Sequence, residues 1–278
     1  MGADKDMGRV LMVGAGRMGG ALIESWLEKQ TTKPSDIVLI EPNVARAKYF
    51  RDKYNLFTFE APEAINTGLG QATILFAIKP QAMDEVVPLY KSLIQPGQLV
   101  LSIAAGTPIA YFEHHLGPNT GVVRAMPNTP ASIGRGITVL CANSHVTAEQ
   151  RTRCEVLIGA VGQVEWIEDE PLMDAVTAVS GSGPAYVFLL IEALAKAGID
   201  AGLDADLANH LALTTVVGAG ALAEQSQDSP VVLRQNVTSP GGTTAAALEV
   251  LMAANGLEQL ITDAVAAAKK RSQELSEA

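Results

Sequence analysis

Basic side chains are few in this sequence, and cysteine and histidine are fewer. Lysine and arginine number 20 against 30 acidic residues, the net charge is -10, and the longest basic run is Lys269-Lys270-Arg271. A chain so charged repels a phosphate backbone, which argues against nucleic acid as a partner. The two cysteines, Cys141 and Cys154, and the four histidines show no metal-ligand spacing, and adjacent His114 and His115 are poorly placed to converge on one ion. No metal site is expected, and the thiols read as reduced. The charge-free apolar run at 210–223 falls short of the ~20 residues that a membrane helix needs. The opening Met-Gly-Ala-Asp-Lys-Asp lacks the basic and apolar regions of a signal peptide, and Asp6 stands where a myristoylation signal needs Ser or Thr. These shortages point to a soluble, cytoplasmic protein that does not enter a membrane.

Apolar matter, by contrast, is ample. Of 278 residues 48% are hydrophobic and the mean hydropathy is +0.20, enough for two cores. Over roughly the first 160 residues, short apolar or β-branched runs alternate with amphipathic stretches, the pattern of a parallel sheet covered by helices. Strands are predicted at 9–13, 37–40, 72–78, 99–103 and 122–125, without the alternation of half-exposed strands. Helices are predicted at 18–29, 44–53, 83–93 and 108–115. From Pro171 onward strand signals vanish. Val187, Leu190, Ile191 and Leu194 fall at helical spacing, and after a stop at Asn255-Gly256 the stripe resumes with Leu257, Leu260 and Ile261. The expected fold class is α/β: a Rossmann dinucleotide-binding domain over 1–165 and an all-helical domain over 166–278. The helices of the second domain are rich in alanine and glycine and poor in polar surface, so they are expected to bury area against a second copy.

A strand, a G-x-G-x-x-G turn and a helix start follow one another at Val10-Leu-Met-Val-Gly14-Ala-Gly16-Arg17-Met18-Gly19. Gly14 permits the tight turn, Gly16 lets backbone approach a pyrophosphate, and Gly19 lets helix and strand pack closely. Glu41 ends the second strand of this unit, where a carboxylate accepts from a ribose 2'-hydroxyl and disfavours a 2'-phosphate. NADH is therefore favoured over NADPH, with Arg46 near enough to offset the preference in part; the plainer reading of Glu41 is a solvated acid before Pro42. Two later loops, Ala77-Ile-Lys79-Pro80 and Ala104-Ala105-Gly106, follow strand ends and are expected at the cofactor.

The second domain contains a polar island, Asn236-Val-Thr-Ser239-Pro-Gly-Gly242-Thr243-Thr244. Pro240 and the glycine pair break the chain just before a strong helix former, so residues 241–244 sit at a helix N-terminus whose N–H groups favour a small carboxylate. Between Pro171 and Ala268 the only basic side chains are Lys196 and Arg234, so backbone and hydroxyls would hold that anion. The plainer alternative is a helix capped by Ser239 or Thr243. A further break at Ser180-Gly-Ser-Gly-Pro184 either brings a helix end to the cleft or serves close packing, with Glu170 just upstream.

At these residues the chain resembles the pyrroline-5-carboxylate reductases. The likeness covers essentially the whole chain: the turn at 14–19, Ala-x-Lys-Pro at 77–80, Ala-Ala-Gly at 104–106, Met126-Pro-Asn-Thr-Pro130, Asp174-Ala-Val-Thr, Ser180-Gly-Ser-Gly-Pro-Ala-Tyr186, and the island to Thr244. It implies reduction of 1-pyrroline-5-carboxylate to L-proline by NADPH or NADH, the last step of proline synthesis. It also implies dimerisation through the helical domain, with dimers assembling into a decamer. Implied substrate-site residues are Glu170, Asn236, Ser239, Gly242, Thr243 and Thr244, the last being the catalytic hydroxyl at the ring nitrogen. Implied cofactor contacts are Gly14, Gly16, Arg17, Met18, Gly19, Glu41, Ala77, Lys79, Pro80, Ala105 and Gly106. Two departures bear on the cofactor: Glu41 replaces a small hydroxyl residue of many relatives, and Pro62 stands near a family Asn beside the adenosine ribose. The alternatives are a hydroxyacid dehydrogenase of the same plan, with Lys196 or His210 as base, and a non-catalytic nicotinamide-binding redox sensor.

Overall fold

The computed structural model describes residues 8–65 and 70–276, so the opening hexapeptide and its targeting readings lie outside it. The chain starts with β1 (Val10–Val13), α1 (Arg17–Glu28), β2 (Ile37–Ile40), α2 (Val44–Tyr54) and β3 (Phe57–Phe59). It continues through β4 (Thr73–Phe76), α3 (Met83–Val86), β5 (Leu99–Ser102), α4 (Ile109–Leu116) and β6 (Gly121–Met126). β7 (Gly136–Ala142), α5 (Ala148–Gly159) and β8 (Gly162–Trp166) complete the described sheet. Its order is β3-β2-β1-β4-β5-β6-β7-β8, parallel at every pair except β6 with β7. Strand order reverses between β1 and β4, which opens a crevice at their carboxyl ends.

Alternation along β1 sends Val10 and Met12 into one core cluster with Trp26, Phe50 and Leu157, and Leu11 and Val13 into another with Phe76, Tyr90 and Phe112. Helices cover both faces, which is why β1 is apolar throughout and β4 is apolar after Thr73, with every position of both strands buried. The indole of Trp26 donates to the Leu157 carbonyl at 2.6 Å, so its polar atom is paired inside the core.

β3, β7, β8 and α5 go beyond the sequence-based prediction. β8 is only half-buried, and α5 buries just Cys154, Leu157 and Ile158, so neither carries a strong apolar pattern. The single helix predicted at 83–93 is instead one α-turn followed by a 3-10 segment over Val87–Leu93, because Pro88 has no N–H to continue the ladder.

Beyond the sheet come α6 (Met173–Val176), a π-helical turn over Thr177–Gly181, α7 (Gly183–Asp200), α8 (Ala205–Gln225), α9 (Pro230–Asn236), α10 (Thr243–Leu251) and α11 (Leu257–Ser276). The chain divides into two compact units: one runs to Gly181 and takes in the stretch from Lys269, and the other is Ser182–Ala268. This boundary differs from the expected division at 165/166 because Met173 is wholly buried in the second sheet cluster. The expected break at 180–184 takes the form of a π-turn over Thr177–Gly181 and a bend at Ser182, the N-cap of α7, within an apolar helical stretch over Glu170–Asp200. That 31-residue run is long and apolar enough, by length and composition, to cross a membrane; the shorter run at 210–223 was the wrong stretch to judge by.

The second unit takes the helices foreseen for it, yet it buries little. Val187, Leu190 and Leu194 remain 44%, 47% and 43% exposed on α7. The buried apolar residues among its described positions are Ala195, Ala208 and Ala212.

Candidate active site

Each glycine of the first turn has a separate geometric reason. Gly14 adopts φ +91°, and a Cβ there would stand 2.8 Å from the Ala77 carbonyl oxygen, while one at Gly19 would overlap the Gly14 carbonyl oxygen. Gly16 faces open space and is the N-cap of α1 without any side-chain capping bond. The N–H groups of Arg17, Met18 and Gly19 precede the first bond of the helix, Gly20 N–H to Gly16 O at 2.9 Å. They suit a pyrophosphate, as does the open space over Gly16.

Neighbouring loops are lashed to this turn through the sheet. Gly14 N–H donates to Ile40 O and Ala77 N–H to Val13 O, each at 2.8 Å, and Ile103 N–H donates to Phe76 O at 3.1 Å. Glu41, the 77–80 loop and the 104–106 loop thus share the carboxyl edge of the sheet. Ala77 is half-buried beneath the turn, while Lys79 and Pro80 are exposed at the start of a 3-10 turn. Ala105 is exposed, and Gly106 has φ +74°. A Cβ on Gly106 would lie 3.6 Å from that of Leu275, so the last turn of α11 adjoins this loop. Ser272 Oγ, on the same turn, donates to Asp174 Oδ1 at 2.7 Å. The sequence reading missed this contribution from the chain end.

Glu41 is not the solvated acid of the plainer reading. It is 8% exposed, its Oε2 accepts the Ala15 N–H at 2.7 Å, and its Oε1 accepts the Asn43 N–H at 2.9 Å. Arg46 donates through Nε to the Ala15 carbonyl at 2.7 Å. A cavity of about 490 Å³ opens here, lined by Ala15, Gly16, Glu41, Asn43, Ala45, Arg46 and Tyr49. Its place beside the glycine turn and at the end of β2 fits the adenosine half of a dinucleotide. Pro62, the other departure, is buried at the start of a 3-10 turn.

Glu170 lies in the sheet unit, apart in the chain from the island. Its Oε1 accepts the Ile109 N–H at 2.8 Å and Arg124 Nη1 at 3.0 Å, so it holds the start of α4 and neutralises a guanidinium in β6. Arg124 is 5% exposed, and the sequence reading passed over it; the signal was a charge inside an otherwise apolar strand. Both cysteines are buried, and burial pushes the Cys154 thiol up to about 12 and raises that of Cys141.

The polar island lies in the second unit, between α9 and α10. α9 ends at Asn236, Gly241 turns the chain at φ +68°, and Gly242 is the N-cap of α10 with no side-chain capping bond. Neither Ser239 nor Thr243 caps the helix. Ser239 instead closes the turn through its carbonyl, which accepts the Gly242 N–H at 3.0 Å. The N–H groups of Thr243, Thr244 and Ala245 precede the first helical bond, Ala246 N–H to Gly242 O at 3.2 Å. Asn236, Ser239 and Thr243 are exposed and Thr244 is half-buried. Lys196 pairs with Asp200 at 3.1 Å and His210 is exposed on α8, so neither sits in a cleft as a dehydrogenase base would.

A doubly wound sheet with a glycine-rich turn after β1 and an acid at the end of β2 is the plan of dinucleotide-binding oxidoreductases, here with a helical unit following it in the chain. The chain is 42% identical to the pyrroline-5-carboxylate reductase of Pseudomonas aeruginosa over 97% of each chain, and 41% identical to that of Synechocystis sp. over 95% of this chain and 97% of the other. It belongs to the pyrroline-5-carboxylate reductase family. The family model for pyrroline-5-carboxylate reductase dimerisation matches residues 170–275, and that for NADP oxidoreductase coenzyme F420-dependent matches 9–106. Among solved structures, a pyrroline-5-carboxylate reductase from Coxiella burnetii superposes with TM-score 0.89 at 35% identity, covering 97% of this chain and 99% of that one. The Plasmodium falciparum enzyme with NADP bound gives 0.81 at 29% identity, covering 96% and 98%.

Proposed function

We propose that the protein reduces 1-pyrroline-5-carboxylate to L-proline with hydride from NADH or NADPH, the last step of proline synthesis. The observation that carries this reading is the uncapped start of α10, where three backbone N–H groups and the Thr243 and Thr244 hydroxyls are offered, with Arg234 lining the adjoining cavity beside Thr238 and Ala245. Backbone dipoles can hold the substrate carboxylate there, with Asn236, Ser239 and Gly242 shaping the turn. Glu170 is proposed as a further substrate-site residue.

The bound dinucleotide supplies the hydride. The first turn of α1 would hold its pyrophosphate, and Ala77, Lys79, Pro80, Ala105 and Gly106 would border its nicotinamide half. Hydride adds to the imine carbon, the C=N π pair moves onto nitrogen, and nitrogen takes a proton to become the secondary amine. Thr244 donates to or orients that nitrogen, with solvent renewing the proton. Little activation is required beyond bringing the two molecules together.

Glu41 favours NADH, because a 2'-phosphate would face its charge. Residues 1–165 are assigned to the nucleotide and 166–278 to substrate and self-association. The exposed apolar face of α7 and its neighbours is covered by a second copy, which accounts for an apolar helical run without a membrane; dimers assemble further into a decamer. The reaction takes place in the cytoplasm. Purified protein given 1-pyrroline-5-carboxylate should consume reduced nicotinamide and form proline in equal amounts, and no consumption of either coenzyme would refute the proposal.

A further inference from the structure

Four residues around the glycine turn form a closed hydrogen-bond circuit. Ala15 N–H donates to Glu41 Oε2 (2.7 Å), Asn43 N–H donates to Glu41 Oε1 (2.9 Å), Arg46 N–H donates to Asn43 Oδ1 (3.0 Å), and Arg46 Nε returns to the Ala15 carbonyl (2.7 Å). Both polar groups of the Ala15 backbone are thereby held by oppositely charged side chains. The Arg46 guanidinium also lies over the rings of Phe50 and Tyr49, at 5.0 and 5.5 Å from their centroids, and against Gly20, where a Cβ would overlap Nη2. A bare cation beside Glu41 would be the natural receptor of a 2'-phosphate, but this guanidinium is fixed by one directed bond, two aromatic faces and a glycine cut to fit it.

We infer that Arg46 is a positioning residue which braces the dinucleotide turn for NADH and NADPH alike, and that Glu41 alone sets the discrimination between them. This rests on the reading that the adjoining cavity takes the adenosine half of the cofactor. The circuit explains why an acid and a base sit five positions apart at the end of β2 and the start of α2: one holds the Ala15 donor and the other its acceptor.

The test is titration of the full-length protein with NADH and NADPH, read by nicotinamide fluorescence, which needs no substrate. Arg46→Leu should raise both dissociation constants by a similar factor, about tenfold for one lost charge-assisted bond, and leave their ratio unchanged. Glu41→Gln should move the ratio toward NADPH by about tenfold or more. Arg46→Lys, which keeps the charge but loses the planar donor, should behave like Arg46→Leu and serves as the second variant if the leucine form does not fold. Selective loss of NADPH binding in Arg46→Leu, with recovery in Arg46→Lys, would overturn the inference, as would wild-type protein that binds neither coenzyme. Wild-type protein that binds both but leaves the imine unreduced would refute the proposed reaction instead, and the ratio would still decide the role of Arg46.

Discussion

The sheet unit and the helical unit treat apolar surface in opposite ways. The first seals Trp26, Phe50, Phe76 and Phe112 completely, whereas the second leaves Phe188, Leu189 and Val217 58%, 63% and 61% exposed and buries alanines. The sheet unit thus has a core of large side chains of its own, although Ile133 and Phe57 stay exposed on it. A unit that hides only small ones holds half of a core, and the other half is proposed to come from a second copy. Both units nevertheless present the same device, a glycine N-cap without side-chain capping, at Gly16 before α1 and at Gly242 before α10. They differ in bracing. Glu41 and Arg46 hold the first turn from both sides, while the second is closed by the Ser239 carbonyl and by Thr238 Oγ1 donating to Arg234 O at 2.6 Å.

Four substitutions or treatments probe that comparison, from the largest effect down. Gly19→Val forces a Cβ into the Gly14 carbonyl and should abolish dinucleotide binding; tight binding in titration would show that the turn is not held as described. Thr244→Val should reduce kcat by about a hundredfold while leaving the dissociation constant for NADH intact, and a parallel fall in both would make Thr244 structural. Leu190→Asp on the exposed face of α7 should shift sedimentation toward monomer, with the subunit dissociation constant rising by about tenfold or more; an unchanged profile would place the interface elsewhere. The thiols should show the smallest effect, being buried and neutral. Native protein near pH 8 should leave Cys141 and Cys154 unmodified by a thiol reagent, and rapid labelling of either would contradict the burial. Because burial raises the Cys154 value to about 12 from 9.0, the unfolded chain ionises first. Stability from this group is therefore full below about pH 9 and is lost as pH climbs toward 12.

Much of this contrast could be read from residues alone. The order of β1, turn and α1 was legible because Gly14 and Gly19 each answer to a close backbone approach that another side chain would prevent. The island was legible because glycine pairs and proline are costly within helices. Other features depend on partners distant in sequence. The contact of Glu170 with Arg124 from β6 and that of Arg46 with the Ala15 carbonyl each join residues far apart in the chain, so neither could be read from the sequence. Ser180-Gly-Ser-Gly reads as a helix breaker, and the chain there makes a π-turn and then a bend at Ser182 before α7 begins; Gly181 makes room for Met126, whose Cε a Cβ would overlap. β8 and α5 escaped notice because half-exposed elements carry little apolar period.

The central claim is that the start of α10 holds the substrate carboxylate with backbone and hydroxyls. The most direct measurement compares kcat/KM for 1-pyrroline-5-carboxylate with that for 1-pyrroline, which lacks the carboxylate, at saturating NADH. The account predicts a fall of about a hundredfold or more without the carboxylate, the worth of two charge-assisted hydrogen bonds. Equal kcat/KM for the two imines would contradict it.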